Sequence, residues 1–375
     1  MKKFLSIKSS RRHLIDLILL CLTIFIVNSI TKENLNFIGL DILLQFKLLI
    51  TVFIPFFFLI QKKFEIHRSD LNYALPLLPL IVISFIHLAP INAFVNFFFL
   101  ISLSIPIISG YFSKEKCSYL IKNVSYFLLF SQFLALIINV LLGNGMLLDL
   151  TKTNSGQETL ITPTLLIFSV IYFISRGKKM ELILTILFIL LSGKRSVILA
   201  TSLLPIIYLI PKIFITKFKT SFGVISNSIM LFLLYLLLNG NLDVFFYKFF
   251  GLDSIGAIMA GRFSIYTSLI SELEVSSFFD FFFGHGIGSS KFIIGDYIGL
   301  SEKMTHNDVL RILFEFGLIG CVIFIISIYS LAKNRNAFSL IISFNIIFFL
   351  TNNFFFPVIH LLFFITLKYL NNDQS

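Results

Sequence analysis

Long apolar runs, separated by short polar or basic clusters, follow one another along almost the whole chain. A helix that crosses a bilayer needs about 20 mostly apolar residues. The pattern predicts twelve candidate helices, at 14–30, 42–60, 71–88, 91–109, 120–142, 160–175, 181–192, 196–210, 222–238, 307–330, 337–351 and 355–370. The predicted class is therefore an all-α polytopic integral membrane protein with about 12 transmembrane helices, because only helices and closed barrels satisfy their backbone within lipid.

Composition supports this class and removes one alternative. Of the 375 residues, 57% are hydrophobic and 13% charged, with a mean hydropathy of +0.95, whereas soluble domains carry about 25% charged residues. The net charge of +11 could indicate nucleic acid, but Lys and Arg also accumulate in cytoplasmic loops of membrane proteins. We therefore expect membrane lipid as a partner and no nucleic acid. The basic segment 1–13 precedes an apolar stretch without a small-residue cleavage site, which favours a retained first helix.

Basic residues also predict the orientation. With a cytoplasmic N-terminus, most of the 30 Lys and Arg residues fall in segments predicted to be cytoplasmic, and the C-terminus is then cytoplasmic as well. The exception is SGKRS, residues 192–196, which is predicted to be external yet carries Lys194 and Arg195. Two cations at a helix start near the headgroups suit a lipid-linked phosphate or diphosphate. The alternative is a cytoplasmic turn in a protein with ten spans.

The predicted spans divide the chain into three parts. Residues 1–238 form an N-terminal membrane bundle of about nine spans, and 306–375 supply about three more. Between them, 239–305 is a long extracytoplasmic loop rich in aromatic residues and glycine. We expect short amphipathic helices of this loop to lie against the membrane surface.

The stretch KMTHNDVLRILFEFGLIG, residues 303–320, concentrates polar residues at the start of a predicted span. Thr305 as N-cap and Asp308 three residues later fit a capping box, so the helix is predicted to start at His306. Free N–H groups at such a start can bind an anion. An imidazole at the extracytoplasmic surface is suited to take a proton from a hydroxyl; the alternative is a histidine that is simply solvated.

Three further residues of this stretch share one helix face. Asn307, Arg311 and Glu315 are spaced by four. Ionisable side chains inside a span usually face a cavity or one another. The sequence thus predicts either a substrate cavity at this face or an ion pair that holds neighbouring helices together.

Two weaker motifs lie in the long loop. The glycine-rich GHGIGSS, residues 284–290, contains His285, Gly286 and Gly288, and such loops let backbone N–H groups approach phosphate. It matches neither a Walker A loop nor a dinucleotide fingerprint, so a flexible turn is the alternative. AGRFSIY places Arg262 at the start of a probable surface helix, where it faces either substrate or solvent.

A metal site is not expected. The six histidines show no metal-ligand pairing, and Cys21, Cys117 and Cys321 show no paired spacing. No resident cofactor is predicted either.

The order of four motifs resembles the O-antigen polymerase/O-antigen ligase superfamily of bacterial surface-polysaccharide enzymes. SGKR before a helix, AGRFSIY, GHGIGSS and finally HNDVLRILFEFGLIG follow one another from about Ser192 to Gly320. The family often has a Ser-Arg pair where this chain has Gly-Lys-Arg, which leaves the register of Lys194 and Arg195 open by one residue.

The resemblance implies a membrane glycosyltransferase at the outer face of the bacterial cytoplasmic (inner) membrane, with an undecaprenyl-diphosphate-linked oligosaccharide as donor. It implies no metal or nucleotide, since the diphosphate is already a good leaving group. By position, Arg195 with Lys194 and Arg262 would hold the diphosphate and His306 would be the base. Polymerisation into O-antigen, capsule or exopolysaccharide, with a chain-length regulator as a further partner, is the favoured function.

Two alternatives stay open at this point. An O-antigen ligase uses the same donor but transfers the polymer to lipid A core of lipopolysaccharide. A flippase for the same lipid-linked oligosaccharide would spread charged residues over many helices and show pseudo-symmetry between halves, whereas polar residues here concentrate in one loop and the helix after it.

Overall fold

The structure is a computed structural model that describes residues 15–18, 20–21, 82, 112–141, 162–243, 247–248, 262–290, 293–294, 306–351 and 357–372. The first four predicted spans lie almost wholly outside these residues, and so does the predicted cap Thr305.

The described part of the chain is mostly helical and contains no strand. Its helices are α1 (Lys114–Leu141), α2 (Thr162–Ser175), α3 (Lys179–Leu191), α4 (Arg195–Ser202), α5 (Leu204–Leu209), α6 (Lys212–Lys217), α7 (Lys219–Leu238), α8 (Phe263–Val275), α9 (Phe278–Phe283), α10 (Asp308–Ser330), α11 (Arg335–Leu350) and α12 (Pro357–Asn372). The all-α prediction is confirmed for these residues.

Two of these helices, α7 and α10, are long and apolar enough to cross a membrane. Shorter apolar helices occur at Pro163–Ser175, Arg195–Leu209 and Arg335–Leu350. Helix α7 also leaves Ile225, Ile229 and Phe232 exposed, and extended exposed apolar surface marks contact with a partner or a membrane. A membrane-like helical character is thus present, while the number of spans stays a prediction.

One end of the helix bundle carries basic residues, and we call it the basic end. Lys219, the first residue of α7, donates from Nζ to the carbonyl of Ser330 at the end of α10 (2.7 Å). Tyr208 near the end of α5 donates from Oη to Asn336 Oδ1 at the start of α11 (2.7 Å). Lys333 lies in the turn between α10 and α11. Neighbouring helices therefore run antiparallel here.

The opposite end, which we call the His306 end, holds the starts of α8 and α10. Arg262, which caps the start of α8, donates from Nη1 to the carbonyl of Leu350, the last residue of α11 (3.2 Å). Helices α4 and α5 both contact α11, and α5 ends at the basic end. Arg195, the first residue of α4, consequently lies toward the His306 end.

The core between the ends is apolar and aromatic. Helices α2, α11 and α12 contact one another, and Phe344 of α11 packs against Phe168 of α2 and Phe363 of α12. This packing holds α11 in place and so fixes the position of its last residue beside Arg262.

Candidate functional site

Helix α10 starts two residues later than the capping motif predicts, at Asp308 instead of His306. Its N-cap is Asn307, with extended backbone (φ −153°, ψ 101°), whose Oδ1 accepts the N–H of Leu310 at 2.9 Å. The expectation that Thr305 caps a helix starting at His306 is wrong, because Asn is an equally good cap and its side chain reaches the third helical N–H. His306 therefore precedes the helix, and it is half-buried.

Of the two alternatives for Arg311 and Glu315, a substrate cavity or an ion pair, the structure shows the ion pair. Arg311 Nε lies 2.8 Å from Glu315 Oε1, and both side chains are buried. Ser290 of the glycine-rich loop donates from Oγ to the same carboxylate oxygen at 2.6 Å. The ion pair thus binds the glycine-rich loop to α10, and in this conformation both of its side chains are enclosed by protein.

Helix α10 is interrupted at Gly317, which has φ 69° and ψ −177°. An interruption leaves carbonyls of the preceding turn without helical partners. The N–H of His285 donates to the carbonyl of Phe314 and the N–H of Gly286 to that of Glu315, both at 3.0 Å. The expectation that the N–H groups of this loop face a phosphate therefore does not hold for His285 and Gly286.

Two glycines allow the glycine-rich loop to pack against α10, because the two backbones are in direct contact at these positions. A Cβ on Gly284 (φ 84°) would lie 2.3 Å from the carbonyl oxygen of Glu315. A Cβ on Gly317 would lie 2.4 Å from the carbonyl carbon of Phe282. Gly288, also predicted to bind substrate, is buried and has a positive φ of 81°. We call residues 284–290 docked on α10 the interlock.

The ring of His285 belongs to the interlock. It stacks on Phe314 with ring centroids 4.3 Å apart and an interplanar angle of 4°. Its Nε2 lies 3.1 Å from Ser276 Oγ, which itself donates to the carbonyl of Glu272 at 2.7 Å. His285 therefore anchors the loop in this conformation.

Tyr266, one helical turn after Arg262 in α8, contacts His306, and the sequence analysis did not single it out. Its hydroxyl donates to the carbonyl of His306 at 2.9 Å. Burial raises the pKa of Tyr266 to about 12, an effect that the nearby positive charge of Arg262 opposes and the carboxylate of Asp308 reinforces, so the hydroxyl keeps its proton at neutral pH. The spacing of four residues from Arg262 to Tyr266 was a signal that could have found it.

Lys194 and Arg195 form the start of α4 after a tight turn. Gly193 in this turn has a positive φ of 65°, Lys194 is half-buried, and the Arg195 side chain is exposed. Arg195 lies toward the same end of the bundle as Arg262 and His306. The hydrogen bond of Tyr266 to His306 joins the start of α8 to the start of α10 at this end.

The arrangement combines a partly accessible imidazole with two Arg side chains at one end of a bundle. An imidazole can accept a proton from a hydroxyl, and guanidinium groups bind phosphate oxygens in a bidentate manner. Within the described residues, no group of three or more His, Cys, Asp or Glu side chains could hold a metal ion.

Comparisons with protein-family models, with curated proteins and with solved structures gave no match.

Proposed function

We propose that this protein is a membrane glycosyltransferase that polymerises undecaprenyl-diphosphate-linked oligosaccharide repeat units into O-antigen, capsule or exopolysaccharide. It acts at the outer face of the bacterial cytoplasmic membrane. The observation that carries the proposal is the hydrogen bond from Tyr266, one helical turn after Arg262 in α8, to the backbone of His306, at the end of the bundle toward which Arg195 also lies. This supports the order of motifs that resembles the polymerase/ligase superfamily.

In the proposed reaction, His306 takes the proton of an acceptor hydroxyl on one lipid-linked repeat unit. The hydroxyl oxygen attacks the anomeric carbon of the donor glycan and forms the new glycosidic bond. The bond between that carbon and the diphosphate oxygen breaks, and undecaprenyl diphosphate leaves with the electron pair. Arg262, Arg195 and Lys194 stabilise the negative charge that develops on the leaving group.

The polar face of α10 holds the backbone around this site in place. Asn307 caps the helix next to His306, while Arg311 and Glu315 hold the glycine-rich loop through Ser290. We propose that Asn307, Arg311, Glu315, His285, Gly286 and Gly288 shape the substrate-binding surface by fixing this backbone. His306 and the Arg side chains make the contacts with substrate.

The experiment uses a strain deleted for the gene, complemented with wild type, His306→Ala or Arg262→Ala, and compares surface glycan on a gel. We expect wild type to restore a ladder, and each variant to lower polymer formation by on the order of a hundredfold. Arg176→Ala is the matched control, because Arg176 is an exposed Arg at the turn between α2 and α3. All proteins are compared at equal membrane levels.

The same gel separates the alternatives. Loss of the ladder to a single repeat unit on lipid core supports the polymerase. Bare core together with polymer accumulating on undecaprenyl diphosphate would identify a ligase instead. An unchanged ladder in the deleted strain would refute both glycosyltransferases, and accumulation of unpolymerised lipid-linked repeat units on the cytoplasmic side would indicate the flippase.

A further inference from the structure

Helix α9 exposes an unusual amount of apolar surface in the segment between α7 and α10. Val275, at the end of α8, is 77% exposed, Phe278 80%, Phe279 50% and Phe281 37%. We call these four side chains the apolar patch. Four large apolar side chains within seven residues form a contiguous surface, and such surfaces mark partner or membrane contacts.

The place where α9 meets α10 sets the level of the patch along the bundle. The carbonyl of Phe282 lies against Gly317, where α10 is interrupted. Before Gly317, helix α10 carries Asp308, Arg311 and Glu315; after it, no charged residue occurs until Lys333. Gly317 is thus the boundary between a charge-bearing part and a charge-free part of a membrane-capable helix.

A neighbouring helix carries its apolar surface past this level. Phe349, next to the last residue of α11, packs against the cluster that contains Leu310 and Phe314, which precede Gly317 by seven and three residues. Helix α11 carries no charged residue after Arg335. The His306-end limit of the apolar part of the bundle therefore lies between Gly317 and the start of α10, and α9 meets α10 at the inner edge of this zone.

Charged groups beside the patch limit how deep it can lie. Glu274 at the end of α8 is exposed and Glu272 is half-buried, while Asp280 of α9 accepts from Ser277 Oγ at 2.6 Å. Carboxylates are costly in the hydrocarbon centre of a bilayer. A helix with an apolar face and such flanks lies in the interface with that face buried by about 5–10 Å.

We infer that α9 is an interfacial membrane anchor, whose apolar patch contacts the acyl chains of the bilayer just below the headgroups on the His306 side. The other side of the helix stays bound to the interruption in α10. His306 precedes Asp308, which is nine residues before Gly317 and so about 13 Å away at the helical rise. The anchor therefore holds the His306 end at headgroup level or just outside it. This inference does not depend on glycosyl transfer.

Tryptophan fluorescence tests the inference, because the chain contains no Trp. Phe279→Trp is purified as the full chain and reconstituted into phosphatidylcholine vesicles whose acyl chains are brominated either near the headgroup or near the chain end. Ile229→Trp, at an exposed position in α7, is the deep reference, and Asn241→Trp, at an exposed polar position in the turn after α7, is the aqueous reference. Phe278→Trp, at the most exposed position of α9, repeats the measurement where any effect on folding is smallest.

The expected result is emission from Phe279→Trp and Phe278→Trp that is blue-shifted relative to Asn241→Trp. Shallow bromine should quench it more strongly than deep bromine, and Ile229→Trp should show the reverse order. Quenching by aqueous iodide to the extent seen for Asn241→Trp would overturn the inference. A depth profile of the α9 variants like that of Ile229→Trp would also overturn the inference, because the segment would then enter the bilayer. Protection from both bromine and iodide would overturn it as well, because protein would then cover the patch.

Discussion

At the scale of single residues, the hydroxyl of Tyr266 positions the proposed base, His306, through its backbone. It donates to the carbonyl of His306 at 2.9 Å and so fixes the backbone of His306, which directly precedes the N-cap of helix α10. We predict that Tyr266→Phe lowers polymer formation in the complementation assay well beyond its effect on stability. The stability loss itself should be about 1 kcal/mol, the net value of one hydrogen bond.

Tyr208→Phe is the matched control for this prediction. Its hydroxyl makes a 2.7 Å hydrogen bond to Asn336, but at the basic end of the bundle. Both variants should shift the thermal unfolding temperature by a similar small amount, and Tyr208→Phe should keep the wild-type ladder. Equal ladders from the two variants would show that Tyr266 does not position His306.

The Arg311–Glu315 pair predicts a second effect at residue scale, and this one concerns stability. Removing one member of a buried ion pair leaves an uncompensated charge and typically costs about 3–5 kcal/mol. We expect Arg311→Ala to lower the unfolding temperature of the purified protein strongly, because Glu315 is fully buried. The double variant Arg311→Met/Glu315→Leu should recover most of the loss, as apolar replacements of buried pairs often do. Additive losses in the double variant would contradict this view of the pair.

At the scale of elements, the interlock depends on two backbones that touch. We predict that Gly284→Ala destabilises the protein far more than Gly177→Ala, measured by thermal unfolding and by protease cleavage in the loop. Both positions have positive φ, but Gly284 (φ 84°, ψ 175°) lies in a region that is essentially restricted to glycine, where strain costs about 1–3 kcal/mol, so strain adds to the overlap there. A Cβ at Gly177 meets nothing within 4 Å, whereas one at Gly284 overlaps the backbone of Glu315. Equal destabilisation by the two variants would mean that the loop moves away from α10 without a loss of stability.

The same elements show what a sequence pattern can and cannot predict. Helix α10 was predicted at 307–330 and is found at Asp308–Ser330, because a mostly apolar stretch of this length is typical of a long helix. The ion pair was one of two alternatives that the spacing of four between Arg311 and Glu315 left open. The docking of His285 and Gly286 on α10 did not follow, because it joins residues 29 positions apart in the chain and uses carbonyls that only the interruption at Gly317 frees. Tyr266 was missed because its partner is a backbone atom 40 positions away in the chain, and the spacing of four from Arg262 indicates only a shared helix face.

At the scale of the whole molecule, charge is distributed unequally between the two ends. Lys219, Lys333 and Arg335 lie at the basic end, and Arg262 and His306 at the other. In the proposed orientation the basic end faces the cytoplasm, as the positive-inside bias predicts. Arg195 would then lie on the outer side as an exception to that bias, where its exposed side chain could bind a diphosphate in a bidentate manner.

This orientation leads to a prediction about labelling from outside the cell. In a variant whose native Cys21, Cys117 and Cys321 are replaced by Ser, a single cysteine at Gly193 should react with a membrane-impermeant maleimide on intact spheroplasts. A single cysteine at Gly177 should react only after the membrane is opened. The positions match as controls, since both are turn glycines with positive φ and open space around them, and they are separated by the single helix α3. Labelling of both only after the membrane is opened would mean that α3 does not cross the membrane. The ten-span arrangement would then replace the twelve-span one, and Arg195 would move to the cytoplasmic side, away from any lipid-linked diphosphate outside. Labelling of both on intact spheroplasts would put both turns outside and contradict the proposed orientation.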